Sequence, residues 1–423
     1  MTELLRKIFH RLTNNAVVNM LRRIYAANVF YVVNLPSYMR VRNVVIKKRH
    51  ERKNERIRVV FLVQNKEVWY KSESIYQAMK RDEIFDINIV VVPDITDKDG
   101  EETYRYFEEK YHNIICAGRK GDLFDLRELN PDYVFYTRPY DFYLPKKYRS
   151  NIVSKYAKIC YCSYAFSVRY EALKGCMPRL FFINVHLFFA ESEFIKHYNR
   201  KRFPLSYRKY RKTEFLGYPI MDQFQDIYVE KETETVKFLW TPRWSTDTNI
   251  GGSNFFEYKD ILVDYVLSCE DIKLIFRPHP LAFYNFVSKG QMTEEEVKSY
   301  CARYSESAFL EIDETANYVG SFQEADVLIS DISSMIFEWY TTGKPIIFCA
   351  TATVTDFELM EQAIEGCYIA NNWSELKNIM GQLKDGNDPL KKKREQLSKE
   401  LFGSDIKNAG QNIADYIKRD YMQ

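Results

Sequence analysis

From residue 57 onward, short apolar runs alternate with stretches in which apolar and charged positions interleave at helical spacing. That alternation predicts parallel strands joined by crossover helices, an α/β architecture. In the first half the runs predict strands over Ile57 to Val63, Ile87 to Val92, Asn113 to Cys116, Tyr133 to Tyr136, Lys158 to Cys162 and Leu180 to Val185. A charged, Thr-rich interval, Val229 to Thr235, precedes a second set: Val236 to Trp240, Ile272 to Phe276, Ala308 to Glu311, Val327 to Ile329 and Pro345 to Phe348. The expected organisation is a basic arm at 1–56, a first α/β domain at 57–230, a second at 236–404 and a terminal helix at 405–423. A chain of 423 residues has room for two domains of ordinary size.

Charge changes the picture at one end only. The net charge of +3 hides a segment 1–56 of +10 on a body of −7. Within that segment Leu4, Leu5, Ile8, Leu12, Val17, Met20, Leu21, Ile24 and Tyr25 fall near helical spacing, with Arg6, Lys7, Arg11, Arg22 and Arg23 between them. A second basic cluster runs from Arg40 to Arg56. Each cation near an anionic leaflet contributes about 1 kcal/mol, so the pattern suits an arm lying on a membrane surface. A helix packed on the body with a solvated basic face is the other reading. Nucleic acid is not an expected partner, because the body is acidic and no nucleic-acid motif occurs. No stretch reaches the roughly 20 apolar residues of a spanning helix, and the beginning of the chain lacks a signal-peptide pattern. The eight cysteines form no CxxC pair, which argues against structural zinc and for reduced thiols in a cytoplasm.

In open parallel sheets, ligands bind beyond the carboxyl ends of the strands. The second set of strands ends in residues suited to anions: Thr241-Pro-Arg-Trp-Ser245 with Arg243, then Gly252 and Ser253; Arg277-Pro-His-Pro280 with His279; and Ser330-Asp-Ile-Ser-Ser334, followed by Glu338. Ser333 and Ser334 at a helix start offer hydroxyls and backbone donors, and Asp331 is expected to cap that helix and orient them. Arg243 and Arg277 supply fixed charge. His279, with a reference pKa near about 6.5, can donate a hydrogen bond or a proton to a leaving phosphate. The set points to phosphate chemistry.

These motifs resemble those of the CDP-glycerol glycerophosphotransferase family, the teichoic acid and capsule polymerases and primases. The likeness includes Phe215-Leu-Gly-Tyr-Pro219 followed by Asp222, and spans most of residues 130 to 350. It implies two Rossmann-like domains of the GT-B type with the active site between them. It also implies transfer of glycerol phosphate from CDP-glycerol, or of another alditol phosphate from its CDP donor, to a hydroxyl of a glycan or lipid-linked acceptor, with CMP released. By the same resemblance His279 binds the donor diphosphate, Ser333 and Ser334 hold its phosphates, Ser330 belongs to the same donor-binding loop and Glu338 lies near the ribose. Peripheral attachment to the cytoplasmic face of the membrane is implied as well.

One element departs from the pattern. The polymerases carry a His-Gly pair in the first domain as base, whereas the comparable strand end here reads Tyr161-Cys-Ser-Tyr-Ala165. Asp141, just past the strand Tyr133 to Tyr136, is the leading replacement, ahead of Tyr164, whose reference pKa near about 10 is unfavourable. His186, among apolar neighbours, reads as a core residue. No metal and no cofactor are expected, since the CDP-alditol is a substrate whose diphosphate the arginines and helix-start donors can compensate. A nucleotide-sugar glycosyltransferase and a non-catalytic membrane-associated assembly protein are the rival readings.

Overall fold

The structure, a computed structural model, describes residues 29–51, 56–92, 100–119, 123–167, 177–203, 205–224, 235–315, 317–351, 363–402 and 408–423. Two wholly parallel sheets organise it. The first contains β1 (Ile57–Val63), β2 (Phe85–Val91), β3 (Ile114–Cys116), β4 (Tyr133–Tyr136), β5 (Lys158–Cys162), β6 (Leu187–Phe189) and β7 (Lys212–Glu214), in the order β3-β2-β1-β4-β5-β6-β7. The second contains β8 (Val236–Thr241), β9 (Ile272–Phe276), β10 (Leu310–Ile312), β11 (Val327–Ser330), β12 (Ile346–Cys349) and β13 (Tyr368–Ala370), in the order β10-β9-β8-β11-β12-β13. Both orders are doubly wound, and each reverses direction between its first and fourth strands. The reversal opens a crevice beyond β1 and β4 in one sheet, and beyond β8 and β11 in the other.

The predicted strand Leu180 to Val185 is instead a short helix, Arg179–Phe182, and the strand follows at Leu187–Phe189. A continuous apolar run does not distinguish a buried turn of helix from a buried strand. Pro178 decides it by supplying a fixed φ of −63° at the helix start. The polar β7 and the short β13 carry too little apolar signal to be read from sequence. The interval 225–234, which contains most of the expected domain boundary, lies outside the described residues.

The segment expected as an arm divides in two. Residues 1–28 lie outside the described residues, whereas α1 (Leu35–Glu51) packs on the body. Its Val41 and Val45 meet Tyr210, and Lys48 is buried with its Nζ 3.2 Å from Asp132 Oδ1. Part of the second basic cluster therefore belongs to the fold, correcting a purely membrane-facing reading of 1–56. Among the described residues no helix is long and apolar enough to cross a membrane.

The chain ends by returning to the first domain. Ile413, Ala414, Ile417 and Tyr421 of the terminal helix (Ala409–Met422) join the apolar core beneath β1 and β4. The Asp222 carboxylate accepts from the first backbone N–H groups of that helix, Ala409 at 2.8 Å and Gly410 at 2.7 Å. Asp420 receives Lys158 at 2.9 Å and His186 at 3.0 Å, and Tyr133 donates to it at 2.8 Å. His186 is thus a core residue, its Nδ1 2.7 Å from the Tyr210 carbonyl. Burial alone would raise the Asp420 pKa, but His186 and Lys158 hold it far below the usual carboxylate range.

Candidate active site

The carboxyl ends of both sheets face one cleft of about 540 Å³. The first-domain wall comes from α2 (Lys66–Lys80), which starts directly after β1, and from Tyr164 and Ala165 after β5. Asn65 starts α2 by accepting from Val68 N–H at 3.2 Å. The second-domain wall is Thr241 to Trp244 after β8, Arg277 to Pro280 after β9, and Ile332 to Met335 after β11, with Glu338 below.

Of the residues expected to handle the donor, Arg243, Arg277, His279, Ser333, Ser334 and Glu338 line this cleft together. Arg277 is aimed by Asp313, which pairs with its Nη1, and by the Thr315 carbonyl, 2.7 Å from its Nη2. Arg243 Nη1 donates to the Ile332 carbonyl at 2.8 Å, fixing its side chain across the loop that carries the serines. His279 Nδ1 accepts from the Leu281 N–H at 3.1 Å. That bond places the proton of the neutral ring on Nε2, so the imidazole presents a donor. The protein around it, then the charges of Arg243 and Arg277, push its pKa down to about 4, although the ring remains accessible to solvent at the cleft mouth. With Nδ1 held as an acceptor, the neutral ring presents its Nε2–H to the cleft.

Gly252, Ser253, Ser330 and Asp331 stand behind the wall. Asp331 is buried, and its carboxylate accepts from the Arg243 N–H at 2.8 Å, Ser253 Oγ at 3.1 Å and Asn254 Nδ2 at 3.0 Å. It staples the β8 loop to the 251–254 turn, which corrects its expected role as the cap orienting Ser333 and Ser334. The Met335 N–H goes instead to Ser333 Oγ, at 3.2 Å. Gly252, at φ 65°, turns the chain where a side chain would be strained. Ser330 is fully buried between Thr241 and the Asp331 carbonyl.

Glu338 does not present an open carboxylate. It is buried, 2.6 Å from Nζ of Lys71, and receives the hydroxyl of Tyr318 and, at 3.4 Å, that of Tyr218. Lys71 comes from α2 of the first domain, so the pair latches the domains together. Burial lowers the Lys71 pKa while Glu338 opposes that shift. Around the latch the seam is aromatic: Phe166 stacks on Phe337 with centroids 4.4 Å apart, and Tyr70 meets Tyr318 edge-on at 5.1 Å. Lys71 escaped the sequence reading because nothing in Trp69-Tyr-Lys71 marks a lysine that reaches another domain.

The expected bases separate. Asp141 is not among the cleft-lining residues; its Oδ1 accepts the Ser150 N–H at 2.6 Å and its Oδ2 the Ser150 hydroxyl at 2.5 Å. It fixes the turn after β4. Asp141→Asn keeps an acceptor for one of those bonds, so it should cost about 1 kcal/mol in urea denaturation and leave turnover within a few-fold of wild type. Tyr164 does line the cleft, its hydroxyl 2.9 Å from that of Tyr140. The sequence reading missed Glu67. It sits in the first turn of α2, lines the cleft, and has no hydrogen-bond or ion-pair partner among the described residues. Its signal was position: it follows β1, where the first sheet's strand order reverses. Among the described residues no group of three or more His, Cys, Asp and Glu side chains could hold a metal ion.

Comparison with known proteins agrees with this geometry. The fold is similar to a variant of the wall teichoic acid polymerase TagF, at 14% identity and a TM-score of 0.58, over 96% of this chain and 98% of that one. It is also similar to a UDP-N-acetylglucosamine 2-epimerase from Listeria monocytogenes (13%, TM-score 0.56, 86% and 97% covered) and to one from Neisseria meningitidis (11%, TM-score 0.53, 86% and 99% covered). These likenesses establish the two-domain GT-B fold. Comparison with curated protein sequences gives no significant match. The family pattern of CDP-glycerol:poly(glycerophosphate) glycerophosphotransferases matches residues 185–418, more than half the chain and all of the second-domain wall of the cleft, and the chain belongs to that family of transferases.

Proposed function

We propose that the enzyme transfers glycerol phosphate from CDP-glycerol to an acceptor hydroxyl on a glycan or lipid-linked teichoic acid or capsule chain, releasing CMP. The observation that carries this reading is the convergence of Arg243, Arg277, Ser333, Ser334 and the neutral His279 on one cleft, a donor set suited to a diphosphate. The acceptor oxygen attacks the phosphorus that bears glycerol. Its proton leaves to a base, and the bond from that phosphorus to the CMP oxygen breaks. His279 Nε2–H donates to the departing phosphate, where negative charge grows.

Glu67 is our choice of base. Of the cleft carboxylates, Asp313 is committed to Arg277 and Glu338 to Lys71, while Glu314, also in the lining, stands on the donor side. Glu67 lies on the opposite wall, from which an acceptor would approach, and the helix start favours its negative charge. There it can take the acceptor proton and orient the nucleophile. Glu67→Gln should lower kcat about 30-fold and leave CDP-glycerol affinity unchanged. Unchanged kcat in Glu67→Gln together with a large loss in Tyr164→Phe would transfer the role to Tyr164.

Mass spectrometry of products from CDP-glycerol, CDP-ribitol and a panel of UDP-sugars tests the reaction itself. Turnover is expected with a CDP-alditol; turnover of a UDP-sugar alone would make this a glycosyltransferase, and tight CDP-alditol binding without CMP release an assembly protein. The proposal extends to the inner face of the cell membrane. It is supported by the basic, apolar pattern of residues 4 to 25 and by Val32 and Val33, which are 72% and 69% exposed. Removing residues 1–28 should abolish sedimentation with anionic vesicles at unchanged turnover of soluble substrates, and raised salt should partly reproduce the loss. A longer truncation would remove α1 and its packing.

A further inference from the structure

At the amino ends of β6 and β7, on the far side of the first sheet from the cleft, a cavity of about 70 Å³ is walled by Arg200, Arg208, Arg211 and Lys212. Arg211 is 8% exposed. Its Nε donates to the Val185 carbonyl at 3.1 Å and its guanidinium lies 4.1 Å over the Phe203 ring, but Nη1 is buried without a hydrogen-bond partner among the described residues. Beside it Asn199 gives its Nδ2 to Thr213 Oγ1 at 2.8 Å, and its buried Oδ1 likewise has no hydrogen-bond partner there. Lys212 is committed to Asp420 at 3.2 Å, and Glu214, the one carboxylate of the wall, lies 3.9 Å from Lys196.

An unmet buried cationic donor is costly, and burial pushes the Arg211 pKa down to about 9. An oxyanion would remove that cost, since a guanidinium binds phosphate oxygens through charge-assisted bonds. The unmet acceptor asks in addition for an O–H. We infer that this cavity binds a phosphoryl group carrying a hydroxyl, with Arg211 Nη1, Arg200 and Arg208 on the oxyanion and Asn199 Oδ1 accepting from the O–H. Hydrogen phosphate in solution and the phosphate of a lipid headgroup share that chemistry.

The test is calorimetric titration of inorganic phosphate into the full chain with excess CMP filling the cleft, repeated with Arg211→Gln and with Arg200→Ala/Arg208→Ala. Each variant should weaken phosphate binding about tenfold, the value of a lost charge-assisted bond, at unchanged turnover. Should Arg211→Gln fail to fold, the double variant carries the test, because Arg200 is exposed and Arg208 half-buried. Sedimentation with phosphatidylcholine vesicles, with and without phosphatidate, separates the sources. Loss of phosphatidate binding in the variants assigns a lipid headgroup; loss of phosphate binding alone assigns the soluble ion. Equal phosphate affinity in the wild type and the double variant would overturn the site.

Discussion

Replacing His279 with alanine should lower turnover about 100-fold or more, the usual cost of removing a positioned donor from developing charge. The Leu281 N–H holds Nδ1 as an acceptor, so the ring gives its Nε2 proton to the phosphate as a hydrogen bond. His279→Gln, which also offers an N–H, should recover part of the loss, whereas an acid that must transfer a proton would not be replaced by an amide. The pH profile supplies a second check. With the His279 pKa pushed down to about 4, the group stays neutral as pH falls through 6.5 and protonates only near 4. The acid limb of kcat/KM, which reports the free enzyme, should therefore show no break near 6.5 due to this residue. A melting profile matching that of the wild type would assign the loss to chemistry. Near wild-type turnover in the folded alanine variant would remove His279 from the mechanism.

Lys71→Met should destabilise the protein by roughly 3–5 kcal/mol, because it leaves Glu338 buried at the domain seam without its cation. Urea denaturation measures this directly. Replacing both partners, Lys71→Met with Glu338→Leu, should restore most of the stability, since two apolar groups leave no charge to desolvate. Donor affinity then reports what the latch does for function. If Glu338 must reach the ribose, the stable double variant should bind CDP-glycerol more weakly than the wild type. If the pair only sets the distance between the domains, binding should survive. No stability loss in Lys71→Met would mean that the seam is held by its aromatic contacts, Phe166 on Phe337 foremost.

How far the sequence could be read follows from the range of the interactions involved. Short, mostly apolar runs marked β1, β4, β5, β8, β9 and β12 closely, because a strand covered on both faces is built mainly from apolar side chains. The edge strands β7, Lys212–Glu214, and β13, Tyr368–Ala370, were missed because three residues with little apolar signal are recognised only through their neighbours. The cleft loops of the second domain were legible because Arg277-Pro-His-Pro280 and Ser330 to Ser334 are contiguous and directly follow or end strands, where an open parallel sheet places its ligands.

By itself, then, the sequence determined the two parallel sheets, the second-domain wall of the cleft and the family likeness, all of which rest on short-range patterns. Tertiary structure decided which side chains were already committed. In the sequence Asp141 reads as an open carboxylate and Asp331 as a helix cap, but their oxygens are engaged by Ser150 in one case and by Arg243, Ser253 and Asn254 in the other. Lys71 and Glu67, six and two residues after Asn65, came to the cleft only when the start of α2 was set against a loop more than 200 residues away. A carboxylate that accepts two or three hydrogen bonds in the fold has little capacity left for a substrate, and those bonds come from residues that sequence proximity does not reveal.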